Sequence, residues 1–243
     1  MTWPRLRAGQ RVYAVGDIHG RADLLTALLQ RILADLRHFP VRQAELLFLG
    51  DYISRGPDSA QVLDLLIGDS RRLPLEVTCL KGNHEDALLR FLDGDLQMGR
   101  TWLQYGGRSV LRSYGVPPVS GEPLDDELLQ LRSALSRVIP VHHQEFLRGL
   151  PMSAERDDYL FVHAGLRPGR CQAEQAEHDL MWIREEFLTH TECFERMVVH
   201  GHSPTPLPEV RRNRINVDTG AYASAILTSV VLTGPERRFL ATV

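Results

Sequence analysis

The stretch RVYAVGDIHG, residues 11–20, sets the pattern from which the fold of this chain is predicted. Its first half is a mostly apolar run that stops at Gly16, which is typical of a buried strand. Residues 22–36 then place leucine and isoleucine at the three- and four-residue spacing of an amphipathic helix. The segment is therefore predicted to be a strand, a short polar turn and a helix.

The same pattern recurs twice in the first half of the chain. Strands are predicted at 46–49 and 76–80, and helices at 59–67 and 85–92. Strands that alternate with helices favour an α/β fold whose first strands pair in parallel. Ligands of such sheets bind beyond the carboxyl ends of the strands, so we expect the functional site at the polar turns.

The rest of the chain carries different patterns. Residues 98–150 are mostly helical in pattern, and we interpret them as a helical insertion beside the site. Short strands dominate afterwards, and they are predicted at 159–163, 197–200, 214–217, 225–232 and 238–243. The last two read as a hairpin around Thr233-Gly234-Pro235-Glu236. We therefore predict a second sheet packed on the first, in a single domain covering residues 1–243.

Composition excludes several classes of protein. The chain has 243 residues, 43% of them apolar, which is enough for a sizeable core. Its 28 basic and 31 acidic residues give a net charge of -3, which argues against specific DNA binding. Three scattered cysteines argue against a disulfide framework. Since neither a signal peptide nor a membrane-spanning run is visible, we expect a cytoplasmic protein; the oligomeric state cannot be read from the sequence.

Five short polar motifs accompany the predicted strands. They read GDIHG at 16–20, GDYISRG at 50–56, GNHE at 82–85, VHAG at 162–165 and HGH at 200–202. Any one of them could be an ordinary turn, because glycine, asparagine and aspartate favour turns. Together they bring oxygen and imidazole ligands to strand ends, a mixture that suits a pair of divalent metal ions.

The spacing of these residues suggests two ligand shells. Asp17 and His19 lie two residues apart, so both side chains can reach one ion. Asp51 follows the next strand and can bridge two ions through its two oxygens. Three further strand ends can complete the shell of the second ion, and their residues are Asn83, His163 and His202. Two cations about 4 Å apart suit phosphoester hydrolysis.

Further polar residues have distinct predicted roles. His84 should point away from the ligand Asn83, and an unligated histidine there can protonate a leaving oxygen as general acid. Arg55 and Arg184 are fork-shaped donors suited to phosphate, although Arg184 also fits a solvent-exposed helix start.

The other histidines carry no such pattern. His200 lies inside a predicted strand, and we interpret it as a packing residue or a neighbour of the ligands. His142 and His143 are predicted to be surface or packing residues. The double glycine Gly106-Gly107 is predicted to be a helix break.

These motifs resemble the signatures GDxHG, GDxxDRG and GNHE of the calcineurin-like metallophosphoesterases, and within them of the phosphoprotein phosphatase family. The matching residues run from Gly16 to Ala221. The chain is most similar to the compact bacterial and phage-type branch, which shares the VHAG, W-x-R and GH-x-P stretches. The resemblance implies a two-sheet α/β sandwich flanked by helices. It also implies a binuclear metal centre often occupied by manganese, although iron, zinc or cobalt fit the same ligands.

The resemblance also implies a role for each site residue. One ion is held by Asp17, His19 and Asp51. The other ion is held by Asp51, Asn83, His163 and His202. His84 matches the general acid, Arg55 matches the phosphate-binding arginine of the second motif, and Arg184 matches a second one found in the phage-type enzymes.

Ser54 departs from the family pattern. It stands where GDxxDRG has the aspartate that orients the acid histidine. A carboxylate would hold the imidazole and raise its pKa, whereas a hydroxyl can only hydrogen-bond. His84 is therefore predicted to be a weaker or differently oriented acid, which disfavours substrates with poor leaving groups.

Two substrate classes follow from these observations. The leading hypothesis is a serine/threonine phosphoprotein phosphatase that attacks with metal-bound hydroxide and uses His84 as general acid. The alternative is a symmetrical bis(5'-nucleosyl)-tetraphosphatase, acting on diadenosine tetraphosphate or capped RNA, because that branch also resembles this chain in lacking the aspartate. A binding module with a degraded site is disfavoured, because all six predicted ligands and both arginines are present.

Overall fold

The computed structural model describes residues 3–70 and 73–243. Met1 and Thr2, on which the signal-peptide prediction partly rests, lie outside the described residues, as do Arg71 and Arg72. Within the described ranges, no helix has the length and apolar character needed to cross a membrane.

The strands of the described residues form two five-stranded sheets. Their bounds are β1 Gln10–Val15, β2 Gln43–Phe48, β3 Glu76–Cys79, β4 Ser153–Arg156, β5 Tyr159–Val162, β6 Met197–His200, β7 Glu209–Val210, β8 Arg214–Asn216, β9 Thr228–Thr233 and β10 Glu236–Ala241. The first sheet has the order β10-β9-β1-β2-β3, and the second has the order β4-β5-β6-β8-β7.

The first sheet confirms the predicted parallel pairing. Strand β1 pairs in parallel with β2, with Val15 opposite Phe48, and β2 pairs in parallel with β3. Strands β9 and β10 form an antiparallel hairpin in which Thr233 faces Glu236, as predicted. Three successive motifs therefore leave the same edge of one sheet.

The second sheet has a parallel centre and antiparallel edges. Strands β5, β6 and β8 pair in parallel, while β4 and β7 pair antiparallel at the two edges. The two edge strands were not predicted. They are short, and their residues are mostly half-exposed, so neither carries the apolar run by which a strand is recognised.

Alternation along each strand sorts the side chains into three layers. Val12 and Ala14 of β1 point to the second sheet and pack with Phe161 and Val199. Their neighbours on β1 point to the opposite face, where the long helix after β1 covers them. The outer face of the second sheet packs against Phe187. Fully burying one such aromatic or aliphatic side chain stabilises the fold by about 1.5–3 kcal/mol.

Helices cover both outer faces of this pair of sheets. Their bounds are α1 Ala22–His38, α2 Ser59–Asp64, α3 Asn83–Leu92, α4 Leu96–Trp102, α5 Arg108–Ser113, α6 Asp125–Val138, α7 Val141–Arg148, α8 Glu177–Trp182, α9 Glu185–Leu188 and α10 Ala221–Ser224. Helix α2 continues in a wider turn over Leu65–Asp69. The stretch 98–150 is mostly helical, as predicted.

The helix break at Gly106 joins the insertion to the second motif. Gly106 has a φ of 113°, and a Cβ there would lie 2.8 Å from the Arg55 amide nitrogen. Its carbonyl accepts the Arg55 N–H at 3.1 Å. The predicted break is confirmed, and it lets the insertion close against the loop that carries Arg55.

Two predicted boundaries differ from the structure for local reasons. Helix α3 begins at Asn83 rather than at residue 85, because the Glu85 carboxylate accepts the Gly82 N–H and completes the first turn. The strand predicted from residue 225 begins at Thr228. Gly220 and Ala225 both adopt left-handed backbone around the short helix α10, which interrupts any strand there.

Candidate metal centre

The five motifs converge because each lies at the carboxyl end of a parallel strand. Three motifs lie at the ends of β1, β2 and β3 in the first sheet, and two lie at the ends of β5 and β6 in the second sheet. Hydrogen bonds join the two sheets at this edge. His163 Nδ1 donates to the Leu49 carbonyl at 2.9 Å, and the His202 N–H donates to Asp17 Oδ1 at 3.1 Å.

Asp51 lies at the centre of the predicted ligands. Its Oδ2 is 3.5 Å from His19 Nε2, and that nitrogen is 3.9 Å from Asp17 Oδ2. Its Oδ1 lies 3.4 Å from His163 Nε2 on the other side. The two oxygens of Asp51 therefore face two different groups of ligands, which is the arrangement that a bridging carboxylate needs.

The second group of ligands closes around His163. Its Nε2 lies 3.0 Å from Asn83 Oδ1 and 3.2 Å from His202 Nδ1. All three residues are at least 93% buried. Asn83 offers an oxygen and the histidines offer nitrogens, so this group has the mixed donor set expected of a transition-metal site.

Backbone carbonyls orient two of the histidines. His19 Nδ1 donates to the Ile53 carbonyl at 2.9 Å, as His163 Nδ1 does to Leu49. Each bond leaves Nε2 without a proton and aimed at Asp51, as in known metal-binding histidines. His202 presents Nδ1 instead, and its buried Nε2 has no hydrogen-bond partner within residues 3–70 and 73–243.

Backbone strain is concentrated in the motifs. His19, Asp51, Ser54, Arg55 and His202 all have positive φ, between 48° and 72°. Non-glycine residues rarely adopt this conformation, and each costs of order 1 kcal/mol or more. The surrounding strands hold these residues in place, which is typical of a functional site rather than of ordinary turns.

The charges of the site favour bound cations. Burial, Asp218 and Asp51 raise the pKa of Asp17 well above its usual value, while burial and Glu85 do the same for Asp51. Burial lowers the pKa of His19 and of His163 to about 3. Neutral imidazoles and crowded carboxylates are the donors that divalent ions bind. Two such ions would activate water and neutralise charge on a phosphoryl group.

Glu85 has a role that was not predicted. Its buried carboxylate accepts the backbone N–H groups of Asp51 at 2.8 Å, Tyr52 at 2.9 Å and Gly82 at 2.9 Å. One side chain therefore holds the loop after β2 against the loop after β3. The GNHE motif contains Glu85, but nothing in its spacing shows which backbone groups it binds.

Asp218 and Tyr222 also join the site from the C-terminal part of the chain. The Asp218 carboxyl is 97% buried, and its charge raises the pKa of Asp17. The Tyr222 ring lies 4.5 Å from the Arg55 guanidinium and 5.4 Å from the His19 ring. Neither residue lies in one of the five motifs, although Asp218 lies in the stretch at which the family match ends and Tyr222 directly follows that stretch.

A cleft of about 270 Å³ opens beside the predicted ligands. Arg55, His84 and Arg184 all line it, so the three predicted substrate-binding residues lie together. Arg184 is exposed, and its Nη1 donates to Ser203 Oγ at 3.2 Å. The opposite wall is contributed by the helical insertion through Trp102 and Tyr105.

Ser54 is hydrogen-bonded to the insertion. The indole Nε1 of Trp102 donates to Ser54 Oγ at 3.1 Å, and both side chains are buried. His84 Nδ1 is also buried and has no hydrogen-bond partner in the part of the chain that the structure describes. His84 Nε2 faces the ligands, 3.9 Å from Asp51 Oδ2. The imidazole of His84 therefore faces the predicted ligands through Nε2, while no group of the described residues orients it through Nδ1.

His200 is a packing residue, in line with its interpretation from the sequence. It is fully buried, and its ring lies edge-on to Phe187 at 4.9 Å. Burial and Arg214 lower its pKa to about 3. The unfolded chain binds a proton at about pH 6.5, so the contribution of His200 to stability is complete above that pH and is lost as the pH falls toward 3.

Replacing His200 by Asn should flatten the acid side of the stability curve. From about pH 6 to 4, the free energy of unfolding of the metal-free wild type should fall more steeply than that of the variant, by about 1.4 kcal/mol per pH unit. Urea unfolding in chelator at several pH values measures both slopes. His38→Asn, at the exposed end of α1, should keep the wild-type slope. Parallel curves for wild type and His200→Asn would contradict the assignment.

Comparisons with known proteins agree with this architecture. The family model of the calcineurin-like phosphoesterases matches residues 10–228. The chain is 26% identical over 237 residues to the asymmetrical bis(5'-nucleosyl)-tetraphosphatase PrpE of Anoxybacillus flavithermus, covering 89% of this chain and 88% of that protein. It is 28% identical over 229 residues to serine/threonine-protein phosphatase 2 of Escherichia coli, covering 90% and 91%.

A solved structure shares the fold. The serine/threonine phosphatase of Saccharomyces cerevisiae matches with a TM-score of 0.60 at 14% identity, covering 96% of this chain and 79% of that one. At this identity the likeness concerns the fold alone. It confirms the predicted α/β sandwich of two sheets flanked by helices.

Proposed function

The chain belongs to the calcineurin-like phosphoesterase family, and from this premise we propose that it hydrolyses phosphoanhydride bonds of nucleoside polyphosphates such as diadenosine tetraphosphate. The reaction class, metal-dependent phosphoester hydrolysis, is that of its family. Asp17, His19 and Asp51 would hold one ion. The second would be held by Asp51, Asn83, His163 and His202.

The choice of a nucleotide substrate rests on His84, whose imidazole is not held by a hydrogen bond from any described residue at Nδ1. Its Nδ1 lacks a partner among the described residues, and the Ser54 hydroxyl accepts a hydrogen bond from Trp102. Burial and the neighbouring His19 lower the pKa of His84 well below its usual value. His84 is then mostly neutral near pH 7 and has few protons to give. A nucleotide phosphate can leave without a proton, whereas a serine alkoxide needs one.

The walls of the cleft also suit a nucleotide. Arg55 and Arg184 both line the cleft, where their guanidinium groups would bind phosphate oxygens as bidentate donors. Tyr105 is 64% exposed at the wall formed by the insertion, and Trp182 lines the cleft as well. Aromatic rings at the edge of a phosphate site offer stacking surfaces for a base. The similarity to the tetraphosphatase PrpE extends over nearly the whole of both chains.

A serine/threonine phosphoprotein phosphatase is the second candidate. It is favoured by the predicted ligands gathered around Asp51, with Arg55, Arg184 and His84 in one cleft. The similarity to serine/threonine-protein phosphatase 2 also spans nearly the whole chain. This candidate requires His84 to act as an effective acid despite Ser54.

Rates on two substrates separate the candidates. With manganese supplied, we expect kcat/KM for diadenosine tetraphosphate to exceed that for a phosphoserine peptide by at least about a hundredfold, the typical size of a general-acid contribution. Chelation of the metal should abolish both reactions. A preference for the phosphopeptide would overturn the nucleotide assignment and leave the phosphatase candidate in its place.

The Tyr105→Ala variant provides a second test of the nucleotide assignment. Loss of a stacking ring is worth about 1–3 kcal/mol, so KM for the dinucleotide should rise about tenfold or more. Turnover of p-nitrophenyl phosphate should not change, because that substrate has no base. Phe39→Ala removes an equally exposed aromatic ring outside the cleft and serves as the matched control.

Several sequence predictions are carried forward within this proposal. Manganese as the physiological ion, a cytoplasmic location and a single domain over residues 1–243 belong to it. So do the roles of His84, Arg55 and Arg184. Metal analysis of the purified chain would test the first of these.

A further inference from the structure

A second group of metal-binding side chains lies outside the candidate centre. Asp64 ends helix α2, and His142 and His143 lie in the first turn of α7. One ligand atom from each residue lies within 4.8 Å of the others. Asp64 Oδ1 is 3.0 Å from His143 Nε2 and 4.0 Å from His142 Nε2. None of the three lines the catalytic cleft.

His143 is oriented as a ligand would be. It is only 1% exposed, and its Nδ1 lies 2.8 Å from the Tyr114 hydroxyl. Its Nε2 therefore points toward Asp64. Metal-binding histidines commonly have this arrangement, in which one ring nitrogen is held by a hydrogen bond and the other faces the ion. The prediction that His143 is a packing residue accounts for its burial but not for this orientation.

A hydrogen-bond chain alone does not account for His142. Tyr114, His143 and Asp64 could satisfy one another without it. His142 is nevertheless turned so that its ring lies 4.5 Å from that of His143 at 76°, with Nε2 facing the same Asp64 oxygen. Two imidazole nitrogens and one carboxylate oxygen are the donor set of a three-residue zinc site whose fourth position is open to water.

We propose that Asp64, His142 and His143 bind a peripheral divalent transition-metal ion, with zinc as the best match. Two nitrogen donors favour zinc over magnesium or calcium. The ion would replace the Nε2 proton of His143, which moves to Nδ1 and is donated to the Tyr114 oxygen. No proton is lost from the pair of ring nitrogens.

Such an ion would connect two parts of the fold. Helix α2 follows directly on the motif that carries Asp51 and Arg55, whereas α7 belongs to the helical insertion. Binding at their junction would stabilise the folded state without contacting substrate. The site is thus structural or regulatory, and it is independent of the identity of the substrate.

Zinc content of matched variants tests the site. The full chain is loaded with zinc, passed through a desalting column and analysed for metal. We expect His142→Ala and Asp64→Asn each to retain one zinc fewer per chain than the wild type. His38→Ala, an exposed histidine on α1, should retain the wild-type amount. Both test residues are more than half exposed in their side chains, so the variants should fold.

A second measurement separates a metal site from a surface effect. Tyr114→Phe keeps the ring but removes the oxygen that holds His143, and it should weaken zinc binding about tenfold. Manganese-dependent hydrolysis should be unchanged in His142→Ala, so a failure here is distinguishable from a failure of the catalytic assignment. Equal zinc in wild type, His142→Ala and Asp64→Asn would overturn the proposal, as would an equal loss in His38→Ala.

Discussion

Replacing Asp51 by Asn will lower kcat for phosphoester hydrolysis by at least about a thousandfold. Asp51 is the only predicted ligand in the described ranges whose two oxygens face both groups of ligands. Asparagine keeps one oxygen but replaces the other with an NH2 group, whose nitrogen is a hydrogen-bond donor and cannot bind a cation. One of the two ions would then lose the oxygen and the negative charge that Asp51 supplies. The site would hold that ion poorly or not at all.

The Asp51→Asn substitution tests the carboxylate alone, because it leaves the backbone undisturbed. Asp51 has a φ of 53°, a conformation that asparagine tolerates better than most residues. Asp51 Oδ1 accepts the His84 N–H at 3.0 Å, and the asparagine oxygen can keep that bond. A loss of activity would therefore report on the carboxylate itself.

The measurement pairs kcat with metal content per chain. Asp58→Asn is the matched control, because Asp58 is an exposed residue of the same segment and its side chain makes no capping hydrogen bond to α2. That variant should retain wild-type activity and metal. Full activity in Asp51→Asn would mean that Asp51 does not bridge two ions.

Local patterns predicted the part of the fold that places the ligands. A run of apolar residues before Gly16 and helical spacing after it specify strand, turn and helix. Three such units require parallel pairing, and parallel pairing brings Asp17, Asp51 and Asn83 to one edge. Strand alternation then divides residues such as Val12 and Tyr13 between two layers. Periodicity and connectivity were sufficient for this much.

Contacts between distant segments were not predicted, because the periodicity of a sequence carries no information about them. Ser54 and Trp102 are 48 residues apart, and their hydrogen bond depends on how the insertion closes on the loop after β2. Asp218 reaches Asp17 only after the C-terminal strands join the sheets. His142 and His143 looked unremarkable in the sequence, since Asp64 lies far from them along the chain.

The Ser54–Trp102 contact links the insertion to the chemistry. In the family pattern an aspartate at this position would orient the acid histidine. Here the hydroxyl binds the indole instead, and Gly107 leaves room for that ring, because a Cβ there would lie 2.4 Å from it. The insertion is thus hydrogen-bonded to the residue that stands at the position of the family aspartate, while His84 Nδ1 has no partner among the described residues.

Replacing His84 by Asn should affect substrates according to their leaving groups. For a phosphoserine peptide, whose alkoxide needs a proton, kcat should fall by no more than about tenfold, well short of a full general-acid contribution, because His84 has few protons to give near pH 7. For diadenosine tetraphosphate or aryl phosphates with acidic phenols, kcat should hardly change, because these groups leave as anions. The difference is expected because His84 lines the cleft and its Nε2 lies 3.9 Å from Asp51 Oδ2, while the predicted ligand sets do not include it.

A series of aryl phosphates makes this expectation quantitative. The logarithm of kcat/KM is plotted against the pKa of the leaving phenol for wild type and for His84→Asn, with His38→Asn as the control. Both lines should be steep, lying together for acidic phenols and separating by no more than about tenfold at the highest phenol pKa, because His84 is a weak acid in the proposed function. A constant offset would mean that His84 binds or positions substrate rather than donating a proton. A shallow wild-type line would mean that His84 is an effective acid without an aspartate at position 54, and the phosphoprotein phosphatase candidate would then take precedence.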